Sequence, residues 1–235
     1  MTKNPRKTLS SSGEDYLKAI YKLRDAEASI SPANVSPANV STQALAARLG
    51  VSPPSATAMV KKLATMKLVV HSPYRGVELT PAGEQIALEV IRHHRLVETY
   101  LSEVLGVAWD KVHDEAERWE HVLSEEVEAK MAEALGHPTR DPHGAPIPDI
   151  DGKIAHDNWT RLGEAVEGTT WTMCRASDEH GETLRHLSEL GLVPGARIEV
   201  LRAAPEEGVL HLRVAGRQQI LGLGPAQSVF VKSEG

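Results

Sequence analysis

The stretch "HPTRDPHGAPIPDIDG" (137–152) packs four prolines and two glycines into one segment. Proline has no backbone N–H to give a helix or a ladder, so neither regular element can run through it. It therefore divides the chain. Before it, apolar residues recur at helical spacing. After it, from about Arg161, they fall into short β-type runs: "WTMCRAS", "RIEVLRA", "VLHLRVA", "QQILGLG" and "SVFVKS", with one short helix, "GETLRHLSELG", among them. The pattern predicts a mainly α chain ending in a small β-barrel of about five strands.

The N-terminal part is more specific. "EDYLKAIYKL" sets Tyr16, Leu17, Ile20, Tyr21 and Leu23 at helical spacing, with Ser12 or Gly13 to cap it. "SPANVSPANVS", a tandem repeat of five residues, reads as an expanded surface loop. Ser41 then caps "TQALAARLG", and after the turn "GVSPP" a second helix is expected from Ser55 to Met66, with Met59, Val60 and Leu63 facing inward. Two helices joined by such a turn form a helix-turn-helix. "LVVHSPYRGVELTPAG" adds a β-hairpin whose tip carries Arg75, and the whole reads as a winged helix-turn-helix. A long helix follows, from near Pro81 to Leu105.

The charge distribution suggests what such a unit meets. Residues 1–80 carry 11 Lys and Arg against 5 Asp and Glu, whereas residues 81–160 carry 7 against 17. A basic first third beside an acidic middle suggests one anionic and one cationic partner. On the second helix, small polar residues allow close approach to a major groove. Lys61, Lys62 and Arg75 can meet phosphates, and Ser52, Pro54, Ser55, Thr57 and Ala58 are the candidates for reading sequence. A winged helix also serves as a protein-interaction module, and residue pattern alone leaves that open.

The 235 residues suffice for one large domain or for two or three small ones. No apolar run of 18 residues occurs, so no membrane-spanning helix is expected. The N-terminal residues lack the apolar core of a signal peptide, and a single cysteine, Cys174, fits a reducing cytoplasm and a place in the core of a strand.

The acidic middle contains "KVHDEAERWEHVLSEEVE" (111–128), read as part of one helix reaching to Leu135. At about 100° per residue, Glu117 lies roughly 40° from His113, Glu120 roughly 20° away on the other side and His121 roughly 80° away. Four donors then share one face, but donors on one helix approach an ion from one side only. His94 and Glu98, spaced i, i+4 on the preceding helix, and Asp15 on the first helix are the candidates to complete a shell. Spacing alone does not separate a metal site from a solvated acidic face. No Gly-rich phosphate loop and no nucleophile motif occurs, and Arg118 rather than a glutamate stands three before His121, so an enzyme is not expected.

"EDYLKAIYKL", "VSPPSATAMVKKL", "YRGVELTPAG", "RHHRLVETYL", "HDEAERWEHVLSEEVE" and "DPHGAPIP", in that order, resemble the diphtheria toxin repressor family of metal-dependent bacterial regulators. "LSELGLVPGARIEVL" is similar to the SH3-like third domain of that family. The resemblance implies a winged helix over 1–82, a helical dimerisation and metal-binding domain over 83–155 and an SH3-like domain over 162–235. It implies a primary metal site of Asp15, Glu117, Glu120 and His121. An ancillary site of His94, Glu98 and His113 would be completed from Glu179, His180 or Glu182. Iron-sensing members carry methionine and cysteine where this chain has Asp15 and Glu117. A sulfur-free shell favours Mn(II), with Fe(II) as the other candidate. Manganese-sensing members often carry a second acidic residue on helix one where this chain has Lys18, which argues against a two-manganese cluster. The function implied is a cytoplasmic homodimer that binds palindromic operator DNA when metal-loaded and represses metal-homeostasis genes. The rival reading is a winged-helix regulator that answers an organic ligand.

Overall fold

Three serines start the helices of the N-terminal part. Ser10 Oγ accepts from the backbone N–H of Gly13 at 3.3 Å, Ser41 Oγ from Ala44 at 3.0 Å and Ser52 Oγ from Ser55 at 3.3 Å. Each satisfies a donor that the first helical turn leaves over. The helices are α1 (Ser11–Ala28), α2 (Thr42–Arg48) and α3 (Pro53–Thr65). Helix α1 thus starts earlier than expected, capped by Ser10 and not by Ser12 or Gly13, and α3 starts two residues before Ser55 because Pro53 and Pro54 fit a first turn. The computed structural model describes residues 6, 9–28, 39–72, 75–155, 157–177 and 181–234, so most of the SPANV repeat lies outside the described residues.

The chain forms two compact units, Met1–Arg92 with Ile150–Gly152, and His93–Asp149 with Lys153–Gly235. In the first, α1, α2 and α3 close over Leu17, Ile20, Leu45, Ala56, Val60 and Leu63. Met59, expected inside, is only partly buried against this core. Strands β1 (Val69–Ser72) and β2 (Gly76–Leu79) pair antiparallel from Val69 with Leu79 to Ser72 with Gly76. They form the wing. Helix α4 (Pro81–Glu103) begins against its base: a Cβ on Gly83 would stand 2.0 Å from the Leu68 carbonyl oxygen, so only glycine fits there. Arg24 on α1 meets Glu84 on α4 at 2.5 Å.

In the second unit α4 continues from His93, and the segment expected as one helix to Leu135 is two: α5 (Val112–Trp119) and α6 (Glu125–Ala134). Ser124 Oγ takes the Val127 N–H at 3.3 Å, so a fresh N-cap competes with helix continuation there. Val97, Leu101, Val112, Ala116 and Met131 form the core between these helices.

The C-terminal part is a six-stranded antiparallel sheet in the order β3-β8-β4-β5-β6-β7. Its strands are β3 (Thr160–Arg161), β4 (Thr170–Ala176), β5 (Arg197–Ala204), β6 (Val209–Val214), β7 (Arg217–Gly222) and β8 (Val229–Ser233), with helices α7 (Gly181–Glu189) and α8 (Leu223–Ala226). Every strand read from the sequence is present, together with the two-residue β3, which is too short to leave a periodic signal. The sheet is SH3-like, but among the described residues no ladder joins β3 to β7, so the expected small barrel is an open sheet. Cys174 is half-buried, not in the core: the β4–β8 register shifts between Met173 and Arg175, and Met173 fills the core instead.

The proline-rich stretch is an ordered loop fastened to this sheet. Asp141 Oδ1 accepts the N–H groups of His143 and Ala145, each at 2.9 Å. The Ala176 N–H donates to the His143 carbonyl at 2.9 Å. Gly144 adopts φ +86°, and a Cβ there would stand 2.0 Å from the Cys174 carbonyl oxygen. Among the described residues no helix is long and apolar enough to cross a membrane.

Candidate metal centre and nucleic-acid interface

Helix α4 supplies the centre of the site because His94 and Glu98 lie one turn apart and both side chains are shut off from solvent. His94 Nε2 stands 3.0 Å from Glu98 Oε1 and 3.0 Å from His113 Nδ1, while His113 Nδ1 stands 3.1 Å from Glu98 Oε1. On the other side of the ring, His94 Nδ1 stands 2.5 Å from Glu120 Oε2 and 3.7 Å from Glu117 Oε1. His121 Nε2 is 3.4 Å from Glu120 Oε1. The helix ends at Trp119, so His121 reaches Glu120 from the corner beyond α5 and not from the helix face that its spacing suggested.

The residues expected in two separate sites are thus contiguous through His94. A neutral imidazole has one nitrogen able to ligate and one N–H, so His94 can serve an ion on one side while donating a hydrogen bond on the other. Glu117 is itself 3.7 Å from both His94 Nδ1 and His113 Nε2, and these three residues converge as potential ligands.

Two further donors come from the proline-rich loop. Glu98, Asp141 and His143 converge as a second buried set, with His143 Nδ1 3.7 Å from Glu98 Oε1. His143 Nε2 faces the Trp109 carbonyl at 2.9 Å, which requires the ring proton on that nitrogen. Burial opposes charge on the His143 imidazole, but the Glu98 carboxylate, Asp141 and the Trp109 carbonyl together push its pKa up to about 9. Burial likewise opposes charge on Glu98, yet His94, His113 and His143 hold its carboxyl well below the usual carboxylate range. The sequence pattern does not mark Asp141 or His143 as a ligand, since a loop has no periodicity to align them. The Asp-Pro-His spacing within "DPHG" was the available signal.

The donor set fits a hard or borderline divalent cation. All its donors are carboxylate oxygens and imidazole nitrogens. Ligand atoms about 2.1 Å from an ion stand roughly 3 Å or more from one another, in keeping with the separations around Glu98. Buried Glu98 Oε2 and His143 Nδ1 make no hydrogen bond to any described residue, which leaves them able to take a cation.

Residues 8–77 match the iron dependent repressor N-terminal DNA-binding domain, and residues 80–149 match the metal-binding and dimerisation domain of the same repressors. Residues 160–233 match the FeoA domain. The chain is 40% identical to the diphtheria toxin repressor of Corynebacterium glutamicum over 87% of its own length and 90% of the relative's. The chain belongs to the iron-dependent, diphtheria toxin repressor family. It is 34% identical to the iron-dependent repressor IdeR of Mycobacterium leprae, over 80% of this chain and 82% of that one. A solved manganese-dependent transcriptional repressor in complex with manganese superposes with a TM-score of 0.83 at 37% identity, covering 94% of this chain and 99% of that chain. The chain is accordingly a metal-dependent transcriptional repressor with a DNA-binding and a dimerisation domain.

In this member of the repressor family, Ser52, Pro54, Ser55, Ala58, Lys61 and Lys62 are exposed along α3, and Arg75 is exposed on the wing. Thr57 is half-buried and its hydroxyl donates to the Pro53 carbonyl at 2.9 Å. Ser52 is occupied as the cap of α3, and its hydroxyl pairs with that of Ser55 at 2.8 Å. Asp15 is half-buried on α1 in the first unit. Glu182 is exposed in the first turn of α7, while Glu179 and His180 lie outside the described residues.

Proposed function

We propose that the repressor is switched by Mn(II), with Fe(II) as the alternative ion, and that it binds palindromic operator DNA as a homodimer in the cytoplasm to control metal-homeostasis genes. The observation that carries this reading is the buried Glu98–His94–Glu120 chain, with both acids joined to one imidazole and only carboxylates and imidazoles in the donor groups that converge among the described residues. Hard carboxylates select against the softer ions that raw affinity favours. The relatives support both ions, since one is named for iron and one was solved with manganese.

In this reading Glu117, Glu120 and His121, together with Asp15 from α1, form the switching site, and His94, Glu98 and His113 form the ancillary one, with Asp141 and His143 as further donors and Glu179, His180 or Glu182 as contributors from the third domain. A bound cation supplies positive charge that offsets the mutual repulsion of these carboxylates. Asp15 belongs to the DNA-binding domain (1–82) and Glu117, Glu120 and His121 to the dimerisation domain (83–155), so sharing one site between them restrains where α3 sits in the dimer. Two recognition helices fit successive major grooves when about 34 Å apart. Lys61, Lys62 and Arg75 then meet phosphates, and the exposed face of α3 reads bases and shape. Trp119, Val122 and Val127 are exposed apolar residues around the α5–α6 corner and support a dimer face there.

The test is fluorescence anisotropy with a palindromic DNA, with and without Mn(II), anaerobic Fe(II) and Zn(II), for wild type and Glu120→Ala. Tenfold or greater strengthening by Mn(II), equivalent to about 1.4 kcal/mol of coupling, that the variant loses supports the reading. Equal binding with and without every ion sinks it and favours a regulator answering an organic ligand.

A further inference from the structure

Helix α5 ends without proline or glycine, and a histidine from α4 lies at its end. Glu120 keeps helical dihedrals (φ −58°, ψ −28°) and caps α5, while Ser124, four residues on, uses its side chain to start α6. A helix terminus leaves its last carbonyls without intrahelical donors, and a buried one needs a substitute. His93, fully buried on α4, supplies it: His93 Nδ1 lies 3.1 Å from the Glu120 carbonyl oxygen. A carbonyl only accepts, so Nδ1 carries the proton and donates it. The other nitrogen, Nε2, lies 3.1 Å from Glu128 Oε2 on α6. With Nδ1–H given to the carbonyl, this second hydrogen bond needs a further proton, on Nε2 or on the Glu128 carboxyl, and with it one ring holds both helices at the corner between them.

We propose that His93 is a positioning residue of the metal switch, resting on the metal-centre reading above. It does not touch the ion. By holding the Glu120 carbonyl it fixes the residue whose carboxylate meets His94 Nδ1 at 2.5 Å, and with it the neighbouring His121. His93 and His94 are adjacent on α4 yet face different parts of the same glutamate: one grips its backbone, the other its side chain. The α5–α6 corner is thereby indexed to α4, the helix that carries His94 and Glu98. Groups that orient a ligand in this way are worth roughly 10–100-fold in metal affinity.

The experiment measures Mn(II) affinity and stoichiometry by the electron paramagnetic resonance of free Mn(II), on the full chain, for wild type, Glu120→Ala, His93→Asn and His93→Gln. The asparagine amide nitrogen sits where Nδ1 does and keeps the bond to Glu120. The glutamine nitrogen sits where Nε2 does and keeps only the bond to Glu128. Positioning through the carbonyl predicts Mn(II) binding weakened roughly 10-fold or more in His93→Gln and within about threefold of wild type in His93→Asn. Wild-type affinity in His93→Gln overturns the proposal, as does an equal loss in both variants, which marks a merely structural contact. Wild type that binds no Mn(II) sinks the manganese reading on which the proposal rests, and the proposal with it. Wild type that loses affinity in Glu120→Ala but not in His93→Gln sinks the proposal alone. Should either variant fail to fold, nitrogen-15 spectra of wild type decide: His93 Nδ1 stays protonated with and without Mn(II) if the carbonyl bond persists, and loss of that proton in the loaded form overturns the proposal.

Discussion

His143 Nδ1 stands 3.7 Å from Glu98 Oε1, and both side chains are fully enclosed. The two come from sequence positions 45 residues apart, one on a helix and one in a proline-rich loop. Their pairing sets a pH dependence for the metal-free protein. The folded pKa of His143 is raised to about 9, so its contribution is fully present below the unfolded value of about 6.5 and is lost as pH rises through 9. The shift is worth at most roughly 3 kcal/mol. Urea unfolding in a chelator should show stability falling between about pH 6.5 and 9 in wild type, and a flatter profile in His143→Leu.

A cation bound by Glu98 and His143 competes with that same proton. Metal affinity at this set should therefore rise with pH towards 9, the opposite trend to metal-free stability. Isothermal titration with Mn(II) at pH 6.5 and 8.5 in two buffers of different ionisation enthalpy should detect proton release. Glu98→Gln should abolish this release and lower the number of ions bound.

Gly144→Ala should destabilise the protein by about 3 kcal/mol or more, because φ +86° and a 2.0 Å approach to the Cys174 carbonyl both exclude a Cβ. Thermal unfolding followed by tryptophan fluorescence would register it, since Trp109 donates to the Pro142 carbonyl of the same loop at 2.7 Å. A change within about 0.5 kcal/mol would mean that the loop is not held on β4 as described.

Lys61→Ala and Lys62→Ala should each weaken operator binding without changing sequence preference. Every phosphate contact removed should reduce the slope of log affinity against log salt by about 0.9. Anisotropy at several salt concentrations separates this from a loss of base reading, which would shift affinity at a constant slope.

Elements whose signal is local were legible in the sequence. Ser41 capped its helix as read, the wing formed between Val69 and Leu79, and each β-type run beyond Arg161 became a strand. The segment from Lys111 to Leu135 was not legible as two helices, since every residue in it tolerates a helix. Its break depends on Ser124 and on a hydrogen bond from His93, which stands 27 residues before Glu120. The same limit hid Asp141 and His143, because Pro and Gly announce a loop without saying what the loop packs against.

By itself the sequence determined the order of elements, the charge separation between a basic first third and an acidic middle, and the chemical type of the donors. Those depend on side-chain identity and on periods of two or 3.6 residues, which a linear chain displays directly. Tertiary structure decided which donors converge. It set His94 between Glu98 and Glu120 and brought His143 up behind Glu98. It also left the C-terminal sheet open. Convergence is a property of distances across the fold, set by which buried groups satisfy one another once the helices pack, and no local period encodes it.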